Sequence, residues 1–181
     1  AFVPLLLSWR GKTDLMNLLN AEPHPTPLPH LTGKLLVCGL YLNELLIRLL
    51  YRYDPYPHLF QAYQTALFIL YDNPVIALRM FEKKLLAELG YALYLDKDSQ
   101  TNQALLPEQS YQFIPSQGLV VCLNKSLPKQ SIFSGASLLA MHHESWATPT
   151  HLLDAKRLFR LALNYLLEGK IIRSRELLVL S

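Results

Sequence analysis

The chain has 181 residues, 51% of them hydrophobic and 17% charged, which is enough apolar side chain for a sizeable core and argues against disorder. Its formal charge of +3 is local: residues 150–181 set Lys156, Arg157, Arg160, Lys170, Arg173 and Arg175 against Asp154, Glu168 and Glu176, six minus three, and residues 1–149 sum to zero. Such a pole is either a solvated helix face or a contact for an anionic partner.

Cys38 and Cys122 lie far apart, each among apolar neighbours and without a CxxC partner, as expected of reduced thiols in a cytoplasmic protein. The most apolar stretch, LLVCGLYLNELLIRLLY (35–51), is interrupted by Asn43, Glu44 and Arg48, so it reads as a core helix and no membrane association is expected. A start at Ala1 without methionine or signal-peptide pattern is expected of a fragment.

In chain order, FVPLLLSW (2–9) and DLMNLLN (14–20) read as two strands around RGKT, a unit too small to stand alone. PHPTPLPH then makes residues 23–32 a proline-rich linker. Helices are predicted over 33–53, stopped by DPYP, over 57–71, and from an Asn73 cap with Pro74 at the first turn to the residue before Gly90. Short connections between them predict an antiparallel bundle. Residues 91–131 read as a polar loop followed by a small hairpin, SYQFIP and GLVVCLN around SQ.

Helices resume at SGASLLAMHH, with Ser134 as cap, and at TPTHLLDAKRLFRLALNYLLEG, with Thr148 as cap, Pro149 at the first turn and Gly169 as terminator. On the latter, Ala155, Phe159, Ala162 and Leu166 share an apolar face opposite Lys156, Arg157, Arg160 and Asn164. Ser174 is expected to cap a short last helix whose Leu177, Leu178 and Leu180 dock back.

No nucleophile elbow, phosphate-binding glycine loop or HExxH is present. His142 and His143 are adjacent, so they point to different sides of a helix and do not set up a metal site with His151. Asp96 and Asp98 sit in the polar loop. An enzyme is therefore not expected, nor any cofactor or metal.

Two anion-seeking features remain. One is the basic C-terminal face, whose cations either complement a helix dipole or contact phosphates. The other is ALRMFE (77–82). At about 100° per residue, Val75, Leu78, Phe81, Leu85, Leu86 and Leu89 gather on one side of the helix, with Arg79 and Glu82 at its margins. Arg79 either pairs with Glu82 at i,i+3 or presents its guanidinium to a carboxylate from another chain.

GLYLNELLIRLL (39–50), ALRMFEKKLLAELGY (77–91), AKRLFRLAL (155–163) and GKIIRSRELL (169–178) together resemble the RecO family of bacterial DNA-repair proteins, in order and spacing. The resemblance covers essentially the whole chain. It implies a mainly α protein with small β parts: a helical bundle over 33–181 with a β-hairpin insert at about 91–131, preceded over 1–22 by the end of an incomplete OB-fold. It implies a recombination mediator that anneals strands, binds single- and double-stranded DNA, works with RecR, and is recruited by the acidic, phenylalanine-ending tail of single-stranded-DNA-binding protein to assist RecA.

By the same resemblance Arg79, with Leu78, Phe81 and Glu82, is expected to receive that tail. Lys156, Arg157, Arg160, Lys170, Arg173 and Arg175 are the candidate DNA contacts. Some family members carry a four-cysteine zinc module between helical segments; the matching loop here has no cysteine, so zinc is not expected. The alternative class is a helical protein–protein scaffold without a DNA role.

Overall fold

The computed structural model describes residues 2–12, 16–25, 30–123, 128–146 and 148–180. Strands β1 (Leu5–Arg10) and β2 (Asn17–Pro23) form an antiparallel ribbon with a bulge at Ser8/Trp9. β1 starts three residues and ends one residue later than expected, and β2 is three residues later at both ends, so that Pro23 of the expected linker pairs with Leu5. Thr13, Asp14 and Leu15 of that reading, and residues 26–29 of the linker, lie outside the described residues.

Helices α1 (Gly33–Leu49), α2 (Pro57–Asp72) and α3 (Pro74–Glu88) follow. α1 stops four residues before the expected end. Leu50 is already extended, and Tyr51 and Tyr53 find no core to cover them, being 77% and 83% exposed. The α2–α3 corner is as the sequence indicates: Asn73 Oδ1 accepts from the Ile76 N–H at 3.2 Å, and Pro74 occupies a position whose N–H would have no helical partner.

The insert differs from the expected hairpin by a third strand. β3 (Ser110–Ile114) pairs with β4 (Gly118–Val121) and also with β5 (Ile132–Ser134), giving the order β4–β3–β5. Asp98 organises the loop before it, accepting from the N–H groups of Gln100, Thr101 and Val121 at 2.8, 2.7 and 2.7 Å. Tyr111, Phe113, Leu119 and Phe133 put this sheet into the same core as the helices.

Helix α4 (Gly135–His142) begins at the Ser134 cap, and α5 (Pro149–Leu167) at the Thr148 cap. α5 ends as Glu168 and Gly169 both turn to positive φ. Ala155, Leu158, Phe159, Ala162 and Leu163 bury its inner face against α3 and α4.

The last helix, α6 (Ser174–Leu180), packs on α1. Its start is held from outside: Glu44 of α1 accepts from the N–H groups of Arg173 and Ser174 at 3.0 and 2.9 Å and from the Ser174 hydroxyl at 2.7 Å. Ser174, expected as the cap, is the first residue of α6, and its hydroxyl donates to α1. Leu177 is exposed, and the side chains of Leu178 and Leu180 lie outside the described residues; Ile172 and Ser174 are the buried contacts. Among the described residues, no helix is long and apolar enough to cross a membrane.

Candidate functional site

Arg79 and Glu82 lie inside the core rather than at its margin, 5% and 1% exposed. Arg79 Nη2 donates to Glu82 Oε1 at 3.0 Å, while Nη1 stands 3.0 Å from Oε2 without good hydrogen-bond alignment. The Tyr41 hydroxyl, from α1, donates to the same Oε1 at 2.6 Å. Burial pushes the Glu82 carboxyl up, opposed by Arg79, by the Tyr41 hydrogen bond and by Arg175 and Lys156. Burial and the Glu82 charge likewise raise the Tyr41 phenol.

Beside this pair opens a groove of about 250 Å³. Cys38, Tyr41, Pro74, Val75 and Leu78 make its apolar wall, and Lys34, Lys156, Arg160 and Arg175 bring positive charge to it. Arg79 also lines the groove, and its buried Nε has no hydrogen-bond partner among the described residues. The internal ion pair cancels its own charge, so four further cations leave the groove electropositive.

Sequence reasoning kept the ALRMFE arginine and the basic C-terminal face apart. Folding merges them: α5 supplies Lys156 and Arg160, α6 supplies Arg175, and all three meet α1 and α3 at one groove. The guanidinium of Arg175 lies 5.8 Å from the Tyr41 ring centroid and donates to Asn164. Glu44, through its hold on Arg173 and Ser174, fixes that arm. Burial works against ionisation of Glu44, but the hydrogen bonds from Ser174 and Arg173, with Arg48 nearby, outweigh it and hold the carboxyl below its ordinary value. Glu44 and Tyr41 were missed as supports because their partners are remote in sequence.

The remaining predicted residues divide. Leu78 lines the groove, whereas Phe81 is in the core, its ring centroid 6.2 Å from that of Tyr63 in an edge-to-face contact. Arg157 turns away from Lys156 and Arg160: it donates to the carbonyls of Lys129 and Ile132 at 2.8 and 3.0 Å, bonds Asp154 at 2.8 Å, and stacks 4.8 Å from the Phe133 ring centroid. It thereby ties the insert to α5. Lys170, with Arg160 and Arg175, borders a second cleft of about 420 Å³ that shares the latter two cations with the groove. Arg173 is exposed at the start of α6. Among the described residues no group of three His, Cys, Asp or Glu side chains could hold a metal ion.

The fold is a mainly helical domain with small antiparallel sheets, and its groove sets four cations beside an apolar wall. The family model described as Recombination protein O C terminal matches residues 30–176. The DNA repair protein RecO of Coxiella burnetii is 46% identical over 178 residues, 98% of this chain and 76% of that protein. Those of Nitrosospira multiformis and Aliivibrio fischeri are 43% and 39% identical, each over 98% of this chain and 74% of its relative. The chain belongs to the RecO family, and its role is in DNA repair.

Proposed function

We propose that this chain is a non-enzymatic recombination mediator of the RecO type. It binds single- and double-stranded DNA and the acidic tail of single-stranded-DNA-binding protein, anneals strands, and works with RecR to assist RecA. One observation carries the reading: four cations and a buried arginine line the same groove as the apolar side chains of Cys38, Val75 and Leu78. A tail ending in phenylalanine offers what that groove lacks, carboxylates for the cations and a ring for the wall formed by Val75, Leu78 and Cys38. The ribbon β1–β2 is read as the end of an OB-fold, and residues 33–181 as the helical domain with its insert at 91–131.

The test is titration of a labelled acidic peptide ending in phenylalanine. Lys156 and Arg160 are exposed, so Lys156→Ala and Arg160→Ala leave the core intact; together they should weaken binding by about 1.5 kcal/mol or more, the lower end for hydrogen bonds to charged groups. Arg79→Ala should weaken it at least as much. It also strips Glu82 of its buried partner, so its stability should fall by about 3–5 kcal/mol. Unchanged affinity in the double variant would sink the tail reading and favour a scaffold for some other helix. For DNA, neutralising Lys170 and Arg173 should flatten the salt dependence by roughly 0.7 in log–log slope per lost single-strand phosphate contact. An unchanged slope removes these residues from the DNA path.

A further inference from the structure

On the other side of α5 the insert forms a cleft of about 370 Å³ that neither the groove nor the basic face uses. Tyr91 and Tyr94, from the segment after α3, and Tyr165, from α5, face into it, and each is half-exposed at 49%, 59% and 48%. Among the described residues none of their hydroxyls bonds to protein. Tyr41, Tyr63 and Tyr111, in contrast, each commit a hydroxyl to an internal partner. Single exposed tyrosines are ordinary, but three converging on one concavity are not.

The rest of the cleft is matched to a flat, polar-edged ring. Its floor is apolar, from Phe113 and Leu119, which are 4% and 1% exposed. Its rim carries side-chain amides and a hydroxyl, from Asn102, Gln117 and Ser116. Lys97 Nζ lies over the Tyr94 ring, 4.5 Å from its centroid, so a cation sits on one face of that ring and a base stacks on Tyr94 only at the other face or by displacing the ammonium. The wall is tied together at one point: Gly118, at φ +95°, lies so close to Ser99 that any Cβ there would strike its hydroxyl, and the Leu119 N–H donates to that hydroxyl at 3.1 Å.

We propose that this cleft is a nucleobase subsite: it takes an unstacked base of single-stranded DNA between its tyrosine rings, with Lys97 beside the flanking phosphate. Stacking accepts any base, amide groups on the rim satisfy base edges, and one lysine suffices for one phosphate. The proposal rests on the DNA-binding part of the function proposed above and is independent of the groove's peptide.

The experiment compares binding of an oligothymidylate and an abasic strand with the same number of phosphates, by fluorescence anisotropy, to this chain and its variants. The unmodified chain should prefer the base-bearing strand. Tyr94→Ala and Tyr165→Ala should each weaken oligothymidylate binding by about fivefold or more, the loss expected for one stacked base, while leaving abasic binding and the salt slope unchanged. Tyr94→Phe, which keeps the ring, should retain affinity. Equal affinity of the unmodified chain for the two strands, or alanine variants that bind oligothymidylate as it does, would overturn the subsite. Acidic-peptide titration of the tyrosine variants separates the two readings: peptide affinity should be unchanged, and a groove that fails to bind peptide leaves the base preference standing.

Discussion

The ribbon β1–β2 and the insert sheet β4–β3–β5 are both small antiparallel sheets, yet they live in opposite environments. Every residue of β1 and β2 is exposed, including Leu5, Leu6, Leu7, Trp9, Leu18 and Leu19. In β3 the side chains alternate, with Tyr111 and Phe113 buried against the bundle. Strand formation in both follows from local sequence, but only the insert has a helical layer to close on. The ribbon touches the core through Phe2, which packs over Gly39 so closely that a Cβ there would sit 2.7 Å from the ring. Whether an apolar strand residue stabilises the fold is thus decided by what lies across from it, not by its own hydrophobicity.

The comparison is tested most severely at Phe133. Its ring is 1% exposed and lies under Arg157, so Phe133→Ala should lower unfolding free energy by about 3–5 kcal/mol, measured by denaturant titration. A loss below 1 kcal/mol would mean that the insert is not part of the cooperative core.

A smaller effect is expected at Asp98. Burial opposes its ionisation, but the N–H groups of Thr101, Val121 and Gln100 prevail and hold its carboxyl below the ordinary value of 3.8. A depressed folded value means that the stabilisation is complete above the ordinary carboxylate range and is lost as pH falls through the folded value. Asp98→Asn should cost about 1–3 kcal/mol near neutral pH, because one acceptor oxygen becomes a donor facing an N–H. It should also reduce the loss of melting temperature expected of the parent as pH is lowered below 4. Identical acid profiles for variant and parent would contradict the assignment.

The ribbon should respond least. Leu7→Ser and Leu18→Ser, at positions 48% and 61% exposed, should each change stability by no more than about 0.5 kcal/mol. A larger loss would show that the ribbon is covered in solution.

Much of the helical framework is legible in the sequence because its signals are local. Asn73–Pro74, Ser134 and Thr148–Pro149 each mark a helix start through a side chain that bonds three residues ahead, and all three do so. The Arg79–Glu82 pair is visible for the same reason. What the sequence hides is whatever depends on a distant partner. β5 pairs with β3 across a long connection, Arg157 bonds carbonyls more than twenty residues earlier, and Tyr41 reaches Glu82 from another helix. The groove itself was half-legible: its arginine and its basic face could each be named, but not their meeting.

The grip of Glu44 on Arg173 and Ser174 joins positions 129 and 130 residues apart. During synthesis four helices separate α1 from α6, and until α6 is made Glu44 has Arg48, one turn along its own helix, as its charged partner. Arg175 can reach Tyr41 only once α1 to α5 have been made, so the groove gains this cation after Lys34, Lys156 and Arg160. The groove's positive charge is thus completed by the part of this sequence made last, after the helices that form its walls.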